Sequence, residues 1–457
     1  MLMVTNLKKI SKQFSTWLST ETSIAPLVVF RIIFGSMMFV STLRFWSKGW
    51  IEALYVKPIH FFHYYGFEWV KPLNELGMYL VFICLLLASL FIAFGLFYRW
   101  ATLIYFVLFT YVELIDSTNY LNHYYFISLV SFLLCFLPAN RYFSLDVKRN
   151  PSLRLLSIPN VYIGILKFQI GIVYFFAGIA KINYDWLIQA MPMSIWLQAK
   201  TNWPIVGNLF AEKWVAYSAS WLACVFDLTV VFCLYSKRFR NPAYFILVVF
   251  HIITGMMFPI GMFPWIMILA TLIFFSPEFH LNVLKLIQSK LKLNKSQDIV
   301  RNSLISHKLK KKLLVRVLLL YICFQLLFPF RYLMYPKSLY WTEQGYRFSW
   351  RVMLMEKAGT ATFFVTDTKT GNKGEVDNSQ FLTPTQEKMM ATQPDLILQY
   401  ANIIKQEVES RGLLNPKINA EIYVTLNGSR SKLFIDPDVN LLELKDGWEH
   451  KDWILDF

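Results

Sequence analysis

Residues Gly164 to Trp186 read GILKFQIGIVYFFAGIAKINYDW. The stretch is apolar over enough residues to cross a bilayer as a helix, yet it contains Lys167 in its interior and Lys181 near its end. Lys167, Tyr174 and Lys181 are spaced seven residues apart, so they lie on one stripe of a helix. A cation within a bilayer is costly unless it faces a partner or a wet cavity, and its presence indicates a function.

Glycines in the same stretch repeat at the same spacing. Gly164, Gly171 and Gly178 form a stripe beside the lysines. Small residues in this pattern allow a second helix to approach closely. We therefore expect this helix to lie inside a bundle.

Composition sets the class of protein. The chain has 457 residues, of which 56% are hydrophobic and 18% aromatic, and several apolar runs are long enough to span a bilayer. The sequence predicts a polytopic α-helical membrane protein. The net charge of +16 is better explained by basic cytoplasmic loops than by nucleic-acid binding. All five cysteines fall in apolar runs, and their spacing shows no metal site.

The apolar runs predict nine transmembrane or partly re-entrant helices. They cover residues 25–43, 77–97, 101–115, 123–139, 160–181, 214–235, 242–258, 264–276 and 313–330. The run 264–276 is short, and Pro259, Gly261 and Pro264 precede it. Irregular backbone at membrane depth occurs only where protein or a cavity surrounds it, so we expect a kink or partial re-entry there.

The distribution of positive charge predicts the orientation. With a cytoplasmic N-terminus, the inside loops hold 20 Lys and Arg and the outside loops hold six. Positive residues concentrate on the cytoplasmic side. Residues 1–24 then form a basic cytoplasmic N-terminus, 25–330 form the membrane domain, and 331–457 lie outside, in a periplasmic or lumenal space.

The last segment, 331–457, reads as a small α+β domain. Ala361–Thr366 has the pattern of a strand, and Thr383 begins a helix with Gln386 in the capping-box position. Two strands, 420–426 and 431–435, flank Asn427-Gly428, which is a strong hairpin signal.

The positions of polar and charged residues along the predicted helices place them at two depths in the membrane. Asn122, His123 and Lys181 fall in the outer leaflet, with His251 deeper beneath them. A second set in the inner half predicts a structural intramembrane network; its members are Arg31, Lys167 and Asp227.

The residues of the outer leaflet are also compatible with non-catalytic roles. A lysine at a helix end commonly extends its amine to the headgroups, and a histidine in a membrane helix commonly bonds a neighbouring helix. The sequence contains no Walker loop, HExxH or GxSxG motif, so it gives no support to ATPase, metalloprotease or serine-hydrolase functions.

Five stretches resemble the vitamin K-dependent gamma-glutamyl carboxylases, which share the wider HTTM fold. They are YFFAGIAKINYDW, YLNHYYF, FHIITGMMFPIGMF, GYRFSW and LFIDPDV. Their order and spacing match the family over nearly the whole chain. The resemblance implies a membrane enzyme that oxygenates reduced vitamin K to its epoxide, using O2, and couples this to carboxylation of protein glutamate with CO2. It implies no metal.

The resemblance also implies roles for residues. Lys181 matches the family's catalytic base, and Asn122 and His123 match an active-site pair. His251 matches a second family histidine near the quinone, and Tyr174, on the Lys181 stripe, is assigned to quinone binding with it. Burial in an apolar site disfavours an ammonium group relative to the amine, which suits a lysine that acts as a base.

The partners implied are a lipid-soluble quinol, entering sideways from the bilayer, and a glutamate-containing protein or peptide approaching from the outer domain. Tyr400 lies in a stretch that resembles the family's glutamate-contacting helix. Animal carboxylases are longer at the C-terminus and have a second lysine where this chain has Ala180. These departures favour a bacterial member in the inner membrane, with menaquinol as its quinol.

Two other functions are compatible with the same residues. One is a quinol epoxidase without protein carboxylation. The other is a non-catalytic membrane protein that binds a quinone or lipid.

Overall fold

The apolar runs of the sequence form helices in the computed structural model, which describes residues 20–292 and 308–457. Most of the predicted basic N-terminus, 1–24, lies outside those residues. The longer helices of the membrane part are α1 (Ala25–Ser47), α2 (Glu75–Phe94), α3 (Tyr98–Leu114), α4 (Asn122–Phe136), α5 (Val161–Ala180), α6 (Lys213–Tyr235), α7 (Arg240–Met257), α8 (Phe263–Ala270), α9 (Pro277–Lys290) and α10 (Lys308–Leu327). Short helices form at Leu145–Arg149, Tyr184–Leu187, Met193–Gln198 and Leu339–Thr342.

Fewer helices than the nine predicted spans meet the length and composition expected of a membrane span. Within the described residues, six helices are long and apolar enough to cross a bilayer, or seven if the bent pair formed by 263–274 and 277–290 counts as one span. Each of the nine predicted runs does contain a helix. However, α3 and α4 have only 17 and 15 residues, so the count of nine is not confirmed.

The predicted interruption of the chain around Gly261 is confirmed. Helix α7 ends at Met257 and α8 begins at Phe263, while Gly261 between them has a φ of 62°. Glycine adopts this left-handed conformation without steric cost. After α8 the chain turns again, because the axis of α9 is bent by 117° from the preceding segment. Residues 277–290, which lie between two predicted spans, thus form a helix of their own.

The glycine stripe of α5 packs against α6, as its spacing predicts. A Cβ at Gly178 would lie 2.9 Å from the backbone nitrogen of Leu228 and 2.8 Å from its Cγ. A Cβ at Gly171 would meet only a methyl group of Val231, at 3.1 Å. The two helices are therefore closest near the Lys181 end of α5.

The C-terminal region contains a four-stranded antiparallel sheet. Two strands near the membrane helices, β1 (Glu21–Ser23) and β2 (Ser157–Pro159), form a separate pair. The larger sheet has the order β4-β3-β5-β6. Its strands are β3 (Lys357–Asp367), β4 (Lys373–Val376), β5 (Pro416–Leu426) and β6 (Lys432–Leu433).

Local signals in this region are confirmed. Thr383 and Gln386 form a reciprocal capping box at the start of α11 (Pro384–Met390), and α12 (Pro394–Ser410) follows. The hairpin around Asn427-Gly428 joins β5 to β6, with Tyr423 opposite Leu433.

The membrane part and the C-terminal region each contribute an aromatic side chain to the core of the other. Phe62, in the loop after α1, is fully buried in the core of the C-terminal region. Trp350 is fully buried in the core of the helical part, where it stacks on Tyr125 at 4.8 Å between ring centroids. A second link runs from Gln386, whose amide donates to the carboxylate of Asp116 at 3.0 Å. These contacts fix the C-terminal region against one end of the helices.

Replacing Gly178 with alanine should destabilise the protein more than replacing Gly171. The new methyl group would meet backbone atoms of α6 that cannot rotate away, and overpacking of this kind costs about 1–3 kcal/mol. At Gly171 only a side chain has to move. Thermal unfolding of both purified variants tests this, and equal losses of stability would show that the close approach at Gly178 is not rigid.

Candidate active site

Lys181 directly follows the last residue of α5, and its side chain is enclosed by protein. It is 5% exposed, and its Nζ lies 2.8 Å from Oδ2 of Asp227, a residue of α6 that is also 5% exposed. Nζ also lies 3.3 Å from the carbonyl oxygen of Ala177, one turn back along the helix. The amine therefore turns inward rather than extending to the headgroups.

The ion pair is electrostatically neutral as a unit. A carboxylate at 2.8 Å stabilises an ammonium, whereas the apolar surroundings disfavour isolated charge. Moving one proton from Lys181 Nζ to Asp227 Oδ2 gives an amine beside a carboxylic acid with no change in total charge. The pair can thus supply the neutral amine without leaving a buried charge.

A second polar pair lies close by. The Tyr174 hydroxyl and His251 Nε2 are 2.7 Å apart, and both side chains are buried. Nδ1 of His251 is buried and has no hydrogen-bond partner among the described residues. Buried polar atoms of this kind are rare unless a ligand or water completes them.

Both pairs line one cavity, whose empty space measures about 660 Å³ together with its open mouth. The cavity lies between α5, α6, α7 and α8, and the C-terminal region closes one side through Val352 and Met353. Most of the remaining wall is aromatic or aliphatic, including Trp186, Trp196, Phe250, Phe258 and Phe263.

Asn122 and His123 lie behind the cavity wall. The Asn122 amide donates to the carbonyl of Arg351 at 2.8 Å, and Arg351 immediately precedes the wall residue Val352. The His123 ring contacts Phe263, with 5.6 Å between ring centroids, and Phe263 in turn contacts His251 at 6.0 Å. In this conformation the pair holds wall residues in place and does not itself line the cavity.

Two family models match the chain. The model described as "HTTM domain" matches residues 20–279. The model described as "Vitamin K-dependent gamma-carboxylase, lumenal domain" matches residues 310–457. The chain belongs to the vitamin K-dependent gamma-carboxylase family. No solved structure matches it.

Both matched parts of this carboxylase-family chain contribute residues to the cavity. The ion pair and the Tyr174–His251 pair lie in the HTTM match, and Val352 and Met353 lie in the lumenal-domain match. The site is therefore complete only when both parts are docked.

In the structure, the three residues of the predicted inner network each contact other groups rather than one another. Arg31 donates to the carbonyl oxygens of Ala139 and Phe143, at 2.9 and 2.6 Å. The amine of Lys167 lies over the rings of Tyr235 and Phe274, at 5.9 and 5.5 Å from their centroids. Asp227 forms its ion pair with Lys181.

Depth misassigned Asp227 for a geometric reason. The Cα of Lys181 is at the helix end, but side chains on a helix point toward its N-terminus. The amine therefore reaches back past Ala177 to the level of Asp227. Depth also says nothing about the direction in which a helix faces, which decides the partner of each charge.

Tyr400 does not reach a surface where a substrate could bind. Its side chain is fully buried in the core of the C-terminal region, its ring packs edge-on against Phe363 at 4.8 Å, and its hydroxyl donates to Asn378 at 3.0 Å. These contacts give Tyr400 a structural role in this core, and its contact with a substrate glutamate stays a prediction.

Sequence reasoning missed the role of Asp227 as the partner of Lys181, although a carboxylate within an apolar helix was a visible signal. It also missed Val352 and Met353, for which periodicity offers no signal. Their place in the wall depends on how the C-terminal region docks.

Tyr174→Phe should destabilise this carboxylase-family protein, because it removes the partner of His251 Nε2. Both ring nitrogens of His251 would then be buried without a hydrogen bond, at a cost of about 1–3 kcal/mol. Tyr184→Phe is the matched control, since Tyr184 is 64% exposed. Thermal unfolding of the two variants should show a loss for the first only; an unchanged transition in Tyr174→Phe would mean that the hydrogen bond contributes no stability.

Proposed function

We propose that this protein is a vitamin K-dependent gamma-glutamyl carboxylase. It would convert protein glutamate to gamma-carboxyglutamate and couple this to epoxidation of a reduced vitamin K quinol, with menaquinol as the natural form. The family match supports the reaction class. The observation that carries the proposal is the Lys181–Asp227 ion pair on the wall of an apolar cavity.

The residues of the cavity fit a quinol. Its flat aromatic body matches walls formed by Phe250, Phe263 and Trp196, and aromatic rings pack favourably against each other. Nδ1 of His251, which has no partner among the described residues, is available to a hydroxyl or carbonyl oxygen of the ligand. When bound, the reduced quinone supplies the reducing equivalents for O2 and the base strength needed at the glutamate gamma carbon.

Lys181 would act as the general base. When the shared proton lies on Asp227, the Nζ lone pair is free to accept a proton from a hydroxyl of the ligand. The resulting ammonium then lies beside the anion that it has created, which stabilises both charges in a low-dielectric site. Asp227 is therefore the partner that holds the proton of the base. This costs little free energy, because the pair stays neutral when the proton moves.

The other polar residues would position the reaction. Tyr174 fixes the ring of His251 through the bond at 2.7 Å. Asn122 holds Arg351, and with it the part of the wall contributed by the C-terminal region. His123 supports Phe263. The aromatic wall would exclude water, so that protons move only between these groups and the substrates.

The two substrates would arrive from different sides. The quinol would enter laterally from the bilayer. The glutamate would approach along the C-terminal region, because Val352 and Met353 bring that region into the cavity wall. We propose that this region lies outside, with a cytoplasmic N-terminus, in a bacterial inner membrane. The charge distribution of the loops supports this orientation.

A quinol epoxidase without carboxylation is the second candidate. The ion pair and the Tyr174–His251 pair lie within 161–257, so the epoxidation machinery is contained in the helical part. Tyr400, the residue expected to contact a glutamate, is buried elsewhere. Epoxide formation without labelled CO2 in a glutamate peptide would identify this activity.

Lys181→Ala should lower quinol epoxidation and CO2 incorporation by about 10²–10⁴-fold, the usual contribution of a general base. Asp227→Asn should lower both in the same direction, because an amide cannot hold the shared proton. The measurement uses purified full-length protein in nanodiscs with reduced menaquinone or vitamin K, O2, labelled CO2 and a glutamate peptide.

Lys167→Ala is the matched control, since Lys167 is a lysine of the same helix that contacts rings away from the cavity. It should keep both activities. Because Lys181→Ala leaves Asp227 buried alone, the double variant K181M/D227L, which removes both charges, should fold and remain inactive. If the unmodified protein forms neither epoxide nor carboxylated peptide under conditions where an active homologue works, the proposal that it is an enzyme is rejected. If folded Lys181→Ala remains active, Lys181 is not the base.

A further inference from the structure

A second cavity lies between the helices, and it shares no residue with the cavity of Lys181. Its empty space measures about 530 Å³ together with its mouth. It is formed by α1, α2, α3 and the beginning of α4. The residues that matter here are Phe45, Tyr55, Phe82, Phe109, Glu113 and Tyr124.

The walls of this cavity are aromatic. Phe45 stacks on Phe82 with 5.1 Å between ring centroids, and Tyr55 lies 6.1 Å from Phe82. On the opposite side Phe109 meets the edge of Tyr124 at 5.9 Å. Such walls favour an apolar ligand body, because its burial removes apolar surface from contact with water.

One polar group in the wall has an oxygen without a hydrogen-bond partner among the described residues. Glu113 is 9% exposed, and its Oε2 accepts a hydrogen bond from the Ser128 hydroxyl at 2.6 Å. Its Oε1 is buried and has no hydrogen-bond partner among the described residues. No Lys, Arg or His in the described part of the chain forms an ion pair with Glu113. A buried acceptor left in this state is disfavoured unless a ligand supplies a donor.

The combination selects a ligand class. The ligand needs an apolar body for the rings and one hydrogen-bond donor for Glu113 Oε1. A neutral hydroxyl costs less to bring into such a cavity than an ammonium. We propose that this cavity binds a bilayer-soluble alcohol, whose O–H donates to Glu113 while its apolar body packs between Phe82 and Phe109. Both a lipid alcohol and a reduced quinone carry this chemistry.

The proposed site stands apart from the reaction centre. The His123 ring packs against Tyr124 at 4.6 Å on one side and against Phe263 at 5.6 Å on the other. Tyr124 lines the second cavity and Phe263 lines the first. The two cavities are thus neighbours separated by His123, and binding to the second one needs no turnover at Lys181. The proposal therefore holds whether or not the protein is a carboxylase.

The test uses photolabelling of the full-length protein in phosphatidylcholine nanodiscs, whose lipid carries no hydroxyl. The probes are a long-chain alcohol bearing a diazirine near its hydroxyl end and the corresponding methyl ether. The alcohol should label residues around Phe109 and Tyr124 about tenfold more than the ether, as expected for one hydrogen bond to a buried acceptor. Equal labelling by the two probes would overturn the proposal.

Variants give a second readout. Glu113→Leu should remove the preference for the alcohol, whereas Glu113→Gln, which keeps an acceptor oxygen, should retain most of it. Glu75→Leu, at an exposed position, is the control and should label like the unmodified protein. An alcohol preference that persists in folded Glu113→Leu would contradict the assignment, and the probe comparison in the unmodified protein remains decisive if that variant does not fold.

Competition identifies the source of the ligand. Displacement of the probe by reduced menaquinone but not by an unlabelled lipid alcohol would make the cavity a second quinol site. The reverse result would make it a lipid-alcohol site. Displacement by neither compound would mean that the labelling is unsaturable partitioning, and the proposal would fail.

Discussion

The buried ion pair between Lys181 and Asp227 is the constraint on which the rest of the site depends. Two charges in an apolar surrounding are tolerated only when they are close and correctly oriented. The helices that carry them must therefore lie side by side, and Gly178 allows this by bringing the backbone of α6 to the surface of α5. Catalytic potential and helix packing are thus two consequences of one contact, since separating the helices would leave both charges unpaired.

A second constraint joins the membrane helices to the C-terminal region. Phe62 completes the core of that region, and Trp350 completes the core of the helices. This exchange brings Val352 and Met353 into the wall of the cavity. The proposed reaction couples oxygenation of a lipid-soluble quinol to carboxylation of a protein glutamate, so it needs a site that both can reach. Docking of the two parts supplies such a meeting place at the end of α5.

Most of the fold could be predicted because it depends on local patterns. Apolar runs located every longer helix of the membrane part except α9, Thr383 and Gln386 located the capping box, and Asn427-Gly428 located the hairpin. The predicted count of nine spans was not confirmed, because α3 and α4, with 17 and 15 residues, are short for a full crossing of the bilayer. The site was harder: Lys181, Tyr174 and His251, proposed from motifs and spacing, do line one cavity, whereas Asp227, the partner of Lys181, had been placed in the inner network.

The sequence by itself determined the class of protein, the family and the ionisable residues that lie within or at the ends of apolar helices. These follow from composition and from the order of motifs, which need no coordinates. Only the tertiary structure decided that Asp227 belongs to Lys181, that Tyr400 is enclosed in a core, and that Glu113 faces a second cavity. The reason is physical: helix periodicity fixes which residues share a face, but rotation about the helix axis and side-chain direction decide which face meets which neighbour.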